Sequence, residues 1–378
     1  MTNLLLKLIF KICHHLISFH NLYLQDSVNI MKSKTMKNYR TFKGLVLSVI
    51  TSTIILSCDL TNDNKYSIGH FPTSPVNLEE FNTEFDDYNS TAPNLGETFP
   101  FCFSSNRNPR GDFNIVYKLM SVNFSKKTGE LDIYENTEGH LSVYIENKNI
   151  RSALHKINTP FDEFGPSLIS MGKNYNSTNM NGRFETYIFL YSNNSNGNQD
   201  IYFTQNLENE NYEDPNPVEF LNSEFDDAYP TFNNDFSELY FTSNREGKFD
   251  IYKVRTDNSK EVLEILSENN SASVEIDSTL SSEFDDKCPS ITNNILVFTS
   301  NREGGFGGYD LYYSYFENGT WSEPINFGSE INSEYDEYRP IVRSNEWQFD
   351  NDMMIFSSNR PGGKGGFDLY YVGIQRKE

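Results

Sequence analysis

Residues 298–312 read Phe-Thr-Ser-Asn-Arg-Glu-Gly-Gly-Phe-Gly-Gly-Tyr-Asp-Leu-Tyr, and residues 356–370 repeat this string with few changes. An aromatic strand that ends in Ser-Asn-Arg leads into a glycine-rich turn, and an aromatic-Asp-apolar-Tyr strand follows. The glycines supply the positive-φ geometry that a compact turn needs. Less complete copies occupy residues 103–117, 191–202 and 241–252. The chain is therefore an array of repeats.

A second, acidic element precedes each copy. It reads Asn-Ser-Glu-Phe-Asp-Asp-Ala-Tyr-Pro in residues 222–230 and recurs, with variations, in residues 82–93, 158–166, 282–289 and 332–340. The repeat spacing is measured between equivalent asparagines, and the steps are 87, 51, 57 and 58 residues: Asn106, Asn193, Asn244, Asn301 and Asn359. Four antiparallel strands with their turns need about this length, so the spacing predicts an all-β propeller of four-stranded blades.

Five blades are the favoured count. The long first step leaves residues 119–157 without a repeat assignment, which keeps six blades possible. The last repeat ends after three strands, while residues 71–78 resemble the outer-strand segment 321–327, and an acidic element follows each of them. We therefore expect residues 71–78 to complete the final blade and close the ring, which removes the free sheet edges. The predicted propeller domain covers residues 71–378.

The glycine-rich string resembles the WD40-like β-propeller repeat of the TolB type. The resemblance covers most of residues 71–374 and is strongest in the last three repeats. It implies a propeller fold and a place in the bacterial cell envelope. It also implies another envelope protein as a partner, without identifying one.

The first 57 residues form a targeting segment. They hold seven basic residues and one acid, and a basic stretch leads into the apolar run 45–56. The run ends in Ile-Leu-Ser-Cys at Cys58, which resembles the lipobox of bacterial lipoproteins. The resemblance implies a lipid on Cys58, a linker over residues 58–70 and a membrane anchor, with the outer membrane favoured. An ordinary signal peptide or a short membrane anchor is the alternative, and translation starting at Met31 or Met36 would explain the unusual length.

The charge excludes one class of partner. The whole chain has a formal net charge of −22, and residues 58–378, with 24 basic and 52 acidic residues, carry −28. Nucleic-acid binders need clustered lysine and arginine, so we expect no nucleic-acid partner.

Aromatic residues make up 15% of the chain, which is typical of a folded protein and not of an acidic disordered tail. Cysteine and histidine form no cluster with metal-ligand spacing, so no metal site and no cofactor is predicted.

The repeated acids and arginines are the candidate site residues. In a four-stranded blade, the turn entering the inner strand and the turn between the second and third strands lie at the same end. Five acidic pairs therefore share one face with four arginines. The pairs are Asp86/Asp87, Asp162/Glu163, Asp226/Asp227, Asp285/Asp286 and Asp336/Glu337, and the arginines are Arg107, Arg245, Arg302 and Arg360.

Two roles are open for this face. In the first, the arginines pair with aspartates and brace the turns, with Asp112, Asp250, Asp310 and Asp368 among the partners. In the second, the acidic pairs form a ring that binds a cation or a basic segment of a partner. Repetition in every blade favours bracing.

These observations predict a non-catalytic module for protein–protein interaction or scaffolding, and no enzyme. Every acidic pair belongs to a repeat, so none stands out as the acid and nucleophile of a glycosidase. A Ser-His-Asp site lacks a suitable histidine, because His140 and His155 both lie in the irregular segment 119–157. The alternative is a carbohydrate-binding or glycoside-hydrolase-like propeller. Segment 119–157 and the loop 172–182 are the least repeat-like parts and hence the first candidates for partner contact.

Overall fold

The computed structural model describes residues 64–137, 148–175, 183–205, 212–268 and 273–377. In these residues the strands form five antiparallel sheets, each built as one blade of a propeller. The predicted all-β propeller with five four-stranded blades is confirmed, and a sixth blade is excluded for the described chain. The targeting segment, Cys58 and His140 lie outside the described residues.

Each blade runs from an inner to an outer strand in chain order. Blade 1 comprises β2 (Asp87–Thr91), β3 (Thr98–Ser105), β4 (Asn114–Phe124) and β5 (Leu131–Glu135). Blade 2 comprises β6 (Glu163–Tyr175), β7 (Arg183–Asn193), β8 (Asp200–Gln205) and β9 (Asn216–Pro217). Blade 3 comprises β10 (Asp227–Phe232), β11 (Glu238–Ser243), β12 (Asp250–Arg255) and β13 (Val274–Ile276).

The last two blades depart slightly from this plan. Blade 4 comprises β14 (Asp286–Thr292), β15 (Ile295–Ser300) and β16 (Asp310–Glu317), and two short strands, β17 (Thr320–Trp321) and β18 (Ile325–Asn326), share its outer position. Blade 5 comprises β19 (Glu337–Arg343), β20 (Asp352–Ser358) and β21 (Asp368–Ile374), and β1 (Val76–Asn77) is its outer strand.

The N-terminal strand closes the ring, as predicted. Val76 of β1 lies opposite Tyr371 of β21 in an antiparallel pair. Just before β1, Phe71 is fully buried, and its ring stacks on that of Phe349 with centroids 4.1 Å apart. Burying a phenylalanine contributes about 2–3 kcal/mol. Blade 5 is therefore assembled from both ends of the propeller.

Residues 119–137 and 148–157, unassigned from the sequence, extend blade 1 and form a helix, respectively. The extension consists of the end of β4 together with β5, and helix α1 (Lys148–Ile157) follows. Ile150, Ala153 and Ile157 of α1 are buried against blades 1 and 2. A second short helix, α2 (Val262–Leu266), lies between β12 and β13. No helix in the described residues is long and apolar enough to cross a membrane.

Repeated polar contacts join each blade to the next. Five residues before each inner strand lies a polar side chain that reaches the preceding blade. It forms hydrogen bonds with both the backbone N–H and the backbone oxygen of one residue in the third strand of that blade. The contacts are Asn82 to Leu369, Asn158 to Ile115, Asn222 to Ile201, Ser281 to Ile251 and Asn332 to Leu311. The asparagine of the acidic element is thus a structural residue of the blade joint.

The glycine-rich turn fits against the acidic turn of the following blade. A side chain at Gly307 would overlap the backbone oxygen of Tyr335, and one at Gly365 would overlap that of Phe85. In blade 2 the equivalent turn carries Asn198, whose amide donates to the backbone oxygen of Phe225 at 2.6 Å. Close backbone approach therefore explains the glycine pairs of the repeat.

Each inner strand contains a bulge with one residue in the left-handed region. Between the two ends of the bulge the register with the second strand shifts. The five left-handed residues have φ between 50° and 58° and form what we call the axial layer: Asn89, Gly165, Tyr229, Cys288 and Arg339. The guanidinium of Arg339 in blade 5 lies 5.4 Å from the ring centroid of Tyr229 in blade 3. Side chains of this layer therefore meet across the propeller axis.

Candidate functional site

The second acid of each acidic pair is buried and held within its own blade. In four blades it forms an ion pair with the arginine of the Ser-Asn-Arg turn. The N–O distances are 2.5 to 2.9 Å in the pairs Asp87–Arg107, Asp227–Arg245, Asp286–Arg302 and Glu337–Arg360. Each arginine also donates to a backbone oxygen beside the acidic turn. The arginine–carboxylate contacts are charge-assisted hydrogen bonds, as expected of a structural brace.

The first acid of each pair reaches across the blade joint. Its carboxylate accepts a hydrogen bond from the backbone N–H of the residue that precedes or starts the third strand of the preceding blade, at 2.8 to 3.0 Å. The contacts are Asp86 to Phe367, Asp162 to Phe113, Asp226 to Gln199, Asp285 to Phe249 and Asp336 to Tyr309. The acidic pairs therefore lie on one face, with both members engaged in contacts within the fold.

The third-strand aspartates take partners other than the four arginines. Asp310 accepts hydrogen bonds from the backbone of Phe306 and Gly307, and Asp368 accepts one from the backbone of Lys364 at 2.6 Å. Asp250 pairs with Lys248. The sequence placed these aspartates with the arginines. The structure instead gives the arginines to the inner-strand acids, because each of those acids lies opposite the second-strand serine that is two residues before the arginine.

Aromatic residues from all five blades surround the axis at the acidic end, and we call this site the axial mouth. One set follows the second acid of each blade: Tyr88, Phe164, Ala228, Lys287 and Tyr338. The other set directly precedes the first residue of each third strand: Phe113, Gln199, Phe249, Tyr309 and Phe367. All are partly exposed except Ala228, which is buried.

The aromatic rings of the mouth form a nearly continuous series of contacts. Tyr88 lies with its centroid 5.0 Å from Phe113, 5.9 Å from Phe164 and 5.8 Å from Phe367. On the other side, Tyr338 lies 5.6 Å from Tyr309. Most of these contacts are edge-to-face, the geometry that aromatic pairs prefer. The series is interrupted at the three positions that are not aromatic, Gln199, Ala228 and Lys287.

Three polar groups converge on this aromatic surface. The Tyr309 hydroxyl donates to Oδ2 of Asp285 at 2.8 Å, and Nζ of Lys287 lies 3.6 Å from the same carboxylate and 4.0 Å from the ring centroid of Phe249. Burial alone would raise the pKa of Asp285. Hydrogen bonds from the Phe249 backbone and the Tyr309 hydroxyl, together with the Lys287 charge, hold this pKa below its ordinary value. The mouth therefore holds an ionised acceptor beside a cationic donor.

Blade 2 is the exception to the ion-pair pattern, because Ser195 stands where the other blades have arginine. Glu163 lies opposite Asn193 as Asp87 lies opposite Ser105, so the residue two positions further on is Ser195 in blade 2 and Arg107 in blade 1. The second acid of blade 2, Glu163, is fully buried and accepts hydrogen bonds from Asn193 at 2.7 Å and from the Thr159 hydroxyl at 2.6 Å. With no arginine beside it, burial raises the pKa of Glu163 to about 8. This carboxyl is therefore protonated at neutral pH.

Asp112 lies next to Glu163, and its pKa is shifted in the opposite direction. Hydrogen bonds from Arg110 hold the pKa of Asp112 below its ordinary value. With its amide oriented to satisfy its hydrogen bonds, Asn114 donates to both carboxyls, at 3.2 Å to Asp112 and 3.1 Å to Glu163. Sequence reasoning counted Glu163 as one more repeat copy and missed this pair. The signal that could have found it is the missing arginine in the second turn of blade 2, where the structure places Ser195.

Comparison with known proteins supports the fold and no closer relationship. No family model and no curated protein matches the chain. Solved structures do resemble it. One is a thermostable family-43 glycoside hydrolase, with 10% identity, a TM-score of 0.49 and coverage of 80% of this chain and 94% of that one. Another is an endo-arabinase from Bacteroides thetaiotaomicron, with 12% identity, a TM-score of 0.47 and coverage of 81% and 99%.

A putative TolB from Agrobacterium tumefaciens also resembles the chain, at 14% identity and a TM-score of 0.31, with coverage of 73% of this chain and 71% of that one. At these identities and scores the likeness concerns the propeller fold alone. The part of the TolB-type resemblance that the structure supports is therefore the propeller itself.

The prediction of a non-catalytic scaffold, and with it the prediction of no enzyme, is corrected. The solved structures with the higher TM-scores reported above are titled as a family-43 glycoside hydrolase and an endo-arabinase, and these titles describe those proteins. The sequence argument against catalysis was that no acidic pair stands apart from the repeats. Asp112 and Glu163 do stand apart, because blade 2 lacks the arginine that neutralises the equivalent acid in the other blades.

Proposed function

We propose that the propeller binds a carbohydrate at the axial mouth. One observation carries the proposal: aromatic side chains from all five blades surround the three convergent polar groups Asp285, Lys287 and Tyr309. Apolar walls with a few placed polar groups are the general composition of a small-molecule site. Sugars suit such a site, because the C–H face of a pyranose ring packs on an aromatic ring while its hydroxyls both donate and accept hydrogen bonds.

The charge of the protein favours a neutral glycan. The net charge of −28 on residues 58–378 repels polyanionic polysaccharides as well as nucleic acids. Within the mouth, the Asp285 carboxylate and the Lys287 ammonium lie 3.6 Å apart, so their charges largely offset each other. A neutral ligand would use the carboxylate as an acceptor and the ammonium as a donor without bringing a charge of its own.

Glycoside hydrolysis is a second candidate function, favoured by the Asp112–Glu163 pair. Two neighbouring carboxyls whose environments move their pKa values in opposite directions are the arrangement of a general acid beside a base or nucleophile. The pair adjoins the mouth through Phe113 and Phe164, whose ring centroids lie 5.2 Å apart. The Asp112 side chain is 11% exposed, whereas Glu163 is fully buried, so substrate contact would begin at Asp112.

Calorimetry on three variants tests the binding proposal, using neutral oligosaccharides selected by a glycan-array screen. We expect Phe249→Ala and Tyr309→Phe to weaken binding at least about tenfold, equivalent to about 1.4 kcal/mol, because they remove a stacking surface and a hydroxyl donor. Phe284→Ala is the matched control, since Phe284 is an aromatic residue of an acidic turn and is 37% exposed. Unchanged affinity in both mouth variants, or no glycan bound by the wild type, would contradict the proposal.

The same oligosaccharides test hydrolysis. Incubation with the wild-type protein should release reducing ends if the second candidate function is correct, and Glu163→Gln should abolish the release while leaving calorimetric binding in place. Binding without any release leaves carbohydrate recognition as the function and refutes hydrolysis.

We also propose that the mature chain is anchored by a lipid on Cys58, on the strength of the lipobox-like sequence alone. The intact mass of membrane-extracted protein tests this. A diacylglyceryl adduct that Cys58→Ala removes supports the anchor, and an unmodified Cys58 refutes it.

A further inference from the structure

Two arginines of β19 lie along the propeller axis without an acidic partner. Arg339 is 2% exposed, and its Nη1 and Nη2 atoms donate to the backbone oxygens of Pro289 at 3.3 Å and Pro166 at 3.2 Å. Arg343, four residues further along the strand, donates to Val342 at 2.6 Å and to Thr292 at 3.3 Å. All these acceptors are uncharged. Among the described residues, no carboxylate lies within ion-pairing distance of either guanidinium.

Both guanidinium groups keep their charge under physiological conditions. Burial lowers the pKa of Arg339, and burial together with the neighbouring Arg339 charge lowers the pKa of Arg343 to about 10. A pKa of that size still leaves Arg343 protonated at neutral pH. The axis of an otherwise strongly acidic protein therefore carries two uncompensated positive charges, and a buried charge without a counterion is costly.

Buried polar atoms at the same level are also without partners. Nε of Arg339 has none among the described residues, and neither does the hydroxyl of Ser90, while the side chain of Asn89 has only the adjoining Tyr88 hydroxyl. Arg339 and Asn89 occupy equivalent positions of adjacent blades in the axial layer, both with left-handed backbones. A buried donor that lacks an acceptor costs about 1–3 kcal/mol, so Nε of Arg339 indicates a missing acceptor.

We propose that a small inorganic anion, with chloride as the simplest case, binds in the axial layer between Arg339 and the amide of Asn89. An anion would accept hydrogen bonds from Nε of Arg339 and Nδ2 of Asn89 and would offset the charges of both arginines. The site lies next to the axial mouth, because Tyr88 and Tyr338 of the mouth directly precede Asn89 and Arg339 in their strands. The anion site does not depend on the carbohydrate proposal.

Thermal unfolding at constant ionic strength tests the site, with sodium chloride replacing sodium gluconate. We expect the Tm of the wild-type protein to rise by about 2–4 °C and to saturate with chloride, because the anion binds only the folded state. Arg339→Met should lose this dependence. Arg255→Gln, which changes an exposed arginine at the end of β12, should keep it.

A crystal of the wild-type protein grown in sodium bromide gives a second measurement that needs no variant. We expect an anomalous peak within about 4 Å of the Arg339 guanidinium. If Arg339→Met does not fold, this measurement decides alone. The absence of a peak, or a wild-type Tm that is the same in chloride and gluconate, would overturn the proposal.

Discussion

Glu163 shows how the loss of one arginine from a repeat changes the protonation of the acid beside it. In the other four blades, an arginine ion pair compensates the buried second acid, as with Arg245 and Asp227 at 2.6 Å. In blade 2 no arginine lies beside Glu163. Asn193 donates a hydrogen bond to this carboxyl instead, and burial then favours its neutral form. The neighbouring Asp112 stays ionised because Arg110 binds it.

The raised pKa of Glu163 predicts a pH dependence of stability. The folded protein keeps this proton up to about pH 8, whereas a glutamate in the unfolded chain loses it near pH 4.3. Between these values the native state binds more protons, so the free energy of unfolding falls as the pH rises. The contribution is fully present below the unfolded pKa and is lost as the pH rises through 8, with a slope of at most about 1.4 kcal/mol per pH unit.

Urea unfolding at pH 5, 7 and 9 measures this dependence. Glu163→Gln keeps a neutral side chain at every pH and should lose less stability than the wild type between pH 5 and pH 9. Glu84→Gln, which changes an exposed acid, is the control and should follow the wild type. Parallel curves for the wild type and Glu163→Gln would show that Glu163 is ionised in the folded protein.

At the scale of elements, the glycine-rich turn is a repeated sequence pattern whose glycines are explained by packing between blades. The repeat string identified the turn and its strands, because glycine position and aromatic alternation are local signals. The reason for the second glycine pair was not visible locally. Gly307 touches the backbone of Tyr335 in the next blade, a contact that exists only after the ring has formed.

Substitution of that glycine should loosen one blade joint. We expect Gly307→Ala to destabilise the protein by about 1–3 kcal/mol, the usual cost of overpacking, because its Cβ would overlap the Tyr335 oxygen. Gly96→Ala is the control, since its nearest neighbour would be 3.8 Å away in ordinary contact. Equal midpoints of urea unfolding for the two variants would refute the close approach.

At the scale of the whole molecule, repeat counting predicted the architecture well. The spacing of the asparagines indicated five blades, and the likeness of residues 71–78 to 321–327 predicted the closing strand β1. The outer strands were less accurately predicted. In blade 4 the expected strand 321–327 is divided between β17 and β18, because outer strands have a partner on one side only.

The side chains that meet along the propeller axis could not be predicted from the sequence. The axial layer combines one residue from each blade, and the axial mouth combines two. Across the axis, Arg339 of blade 5 contacts Pro166 of blade 2 and Tyr229 of blade 3. Repeat alignment shows that these positions are equivalent, but it does not show which side chains meet across the axis. For the same reason the sequence offered the repeated acids as the candidate binding face, while favouring a bracing role for them, and the aromatic mouth went unnoticed.

A crystal structure of the propeller with a bound oligosaccharide tests the central claim most directly. The ligand would be a neutral glycan selected by the array screen. The account predicts a sugar ring packed against the aromatic side chains of the axial mouth, with hydroxyls hydrogen-bonded to Asp285 or Lys287. A glycan bound only at the outer turns, with the axial mouth unoccupied, would contradict it.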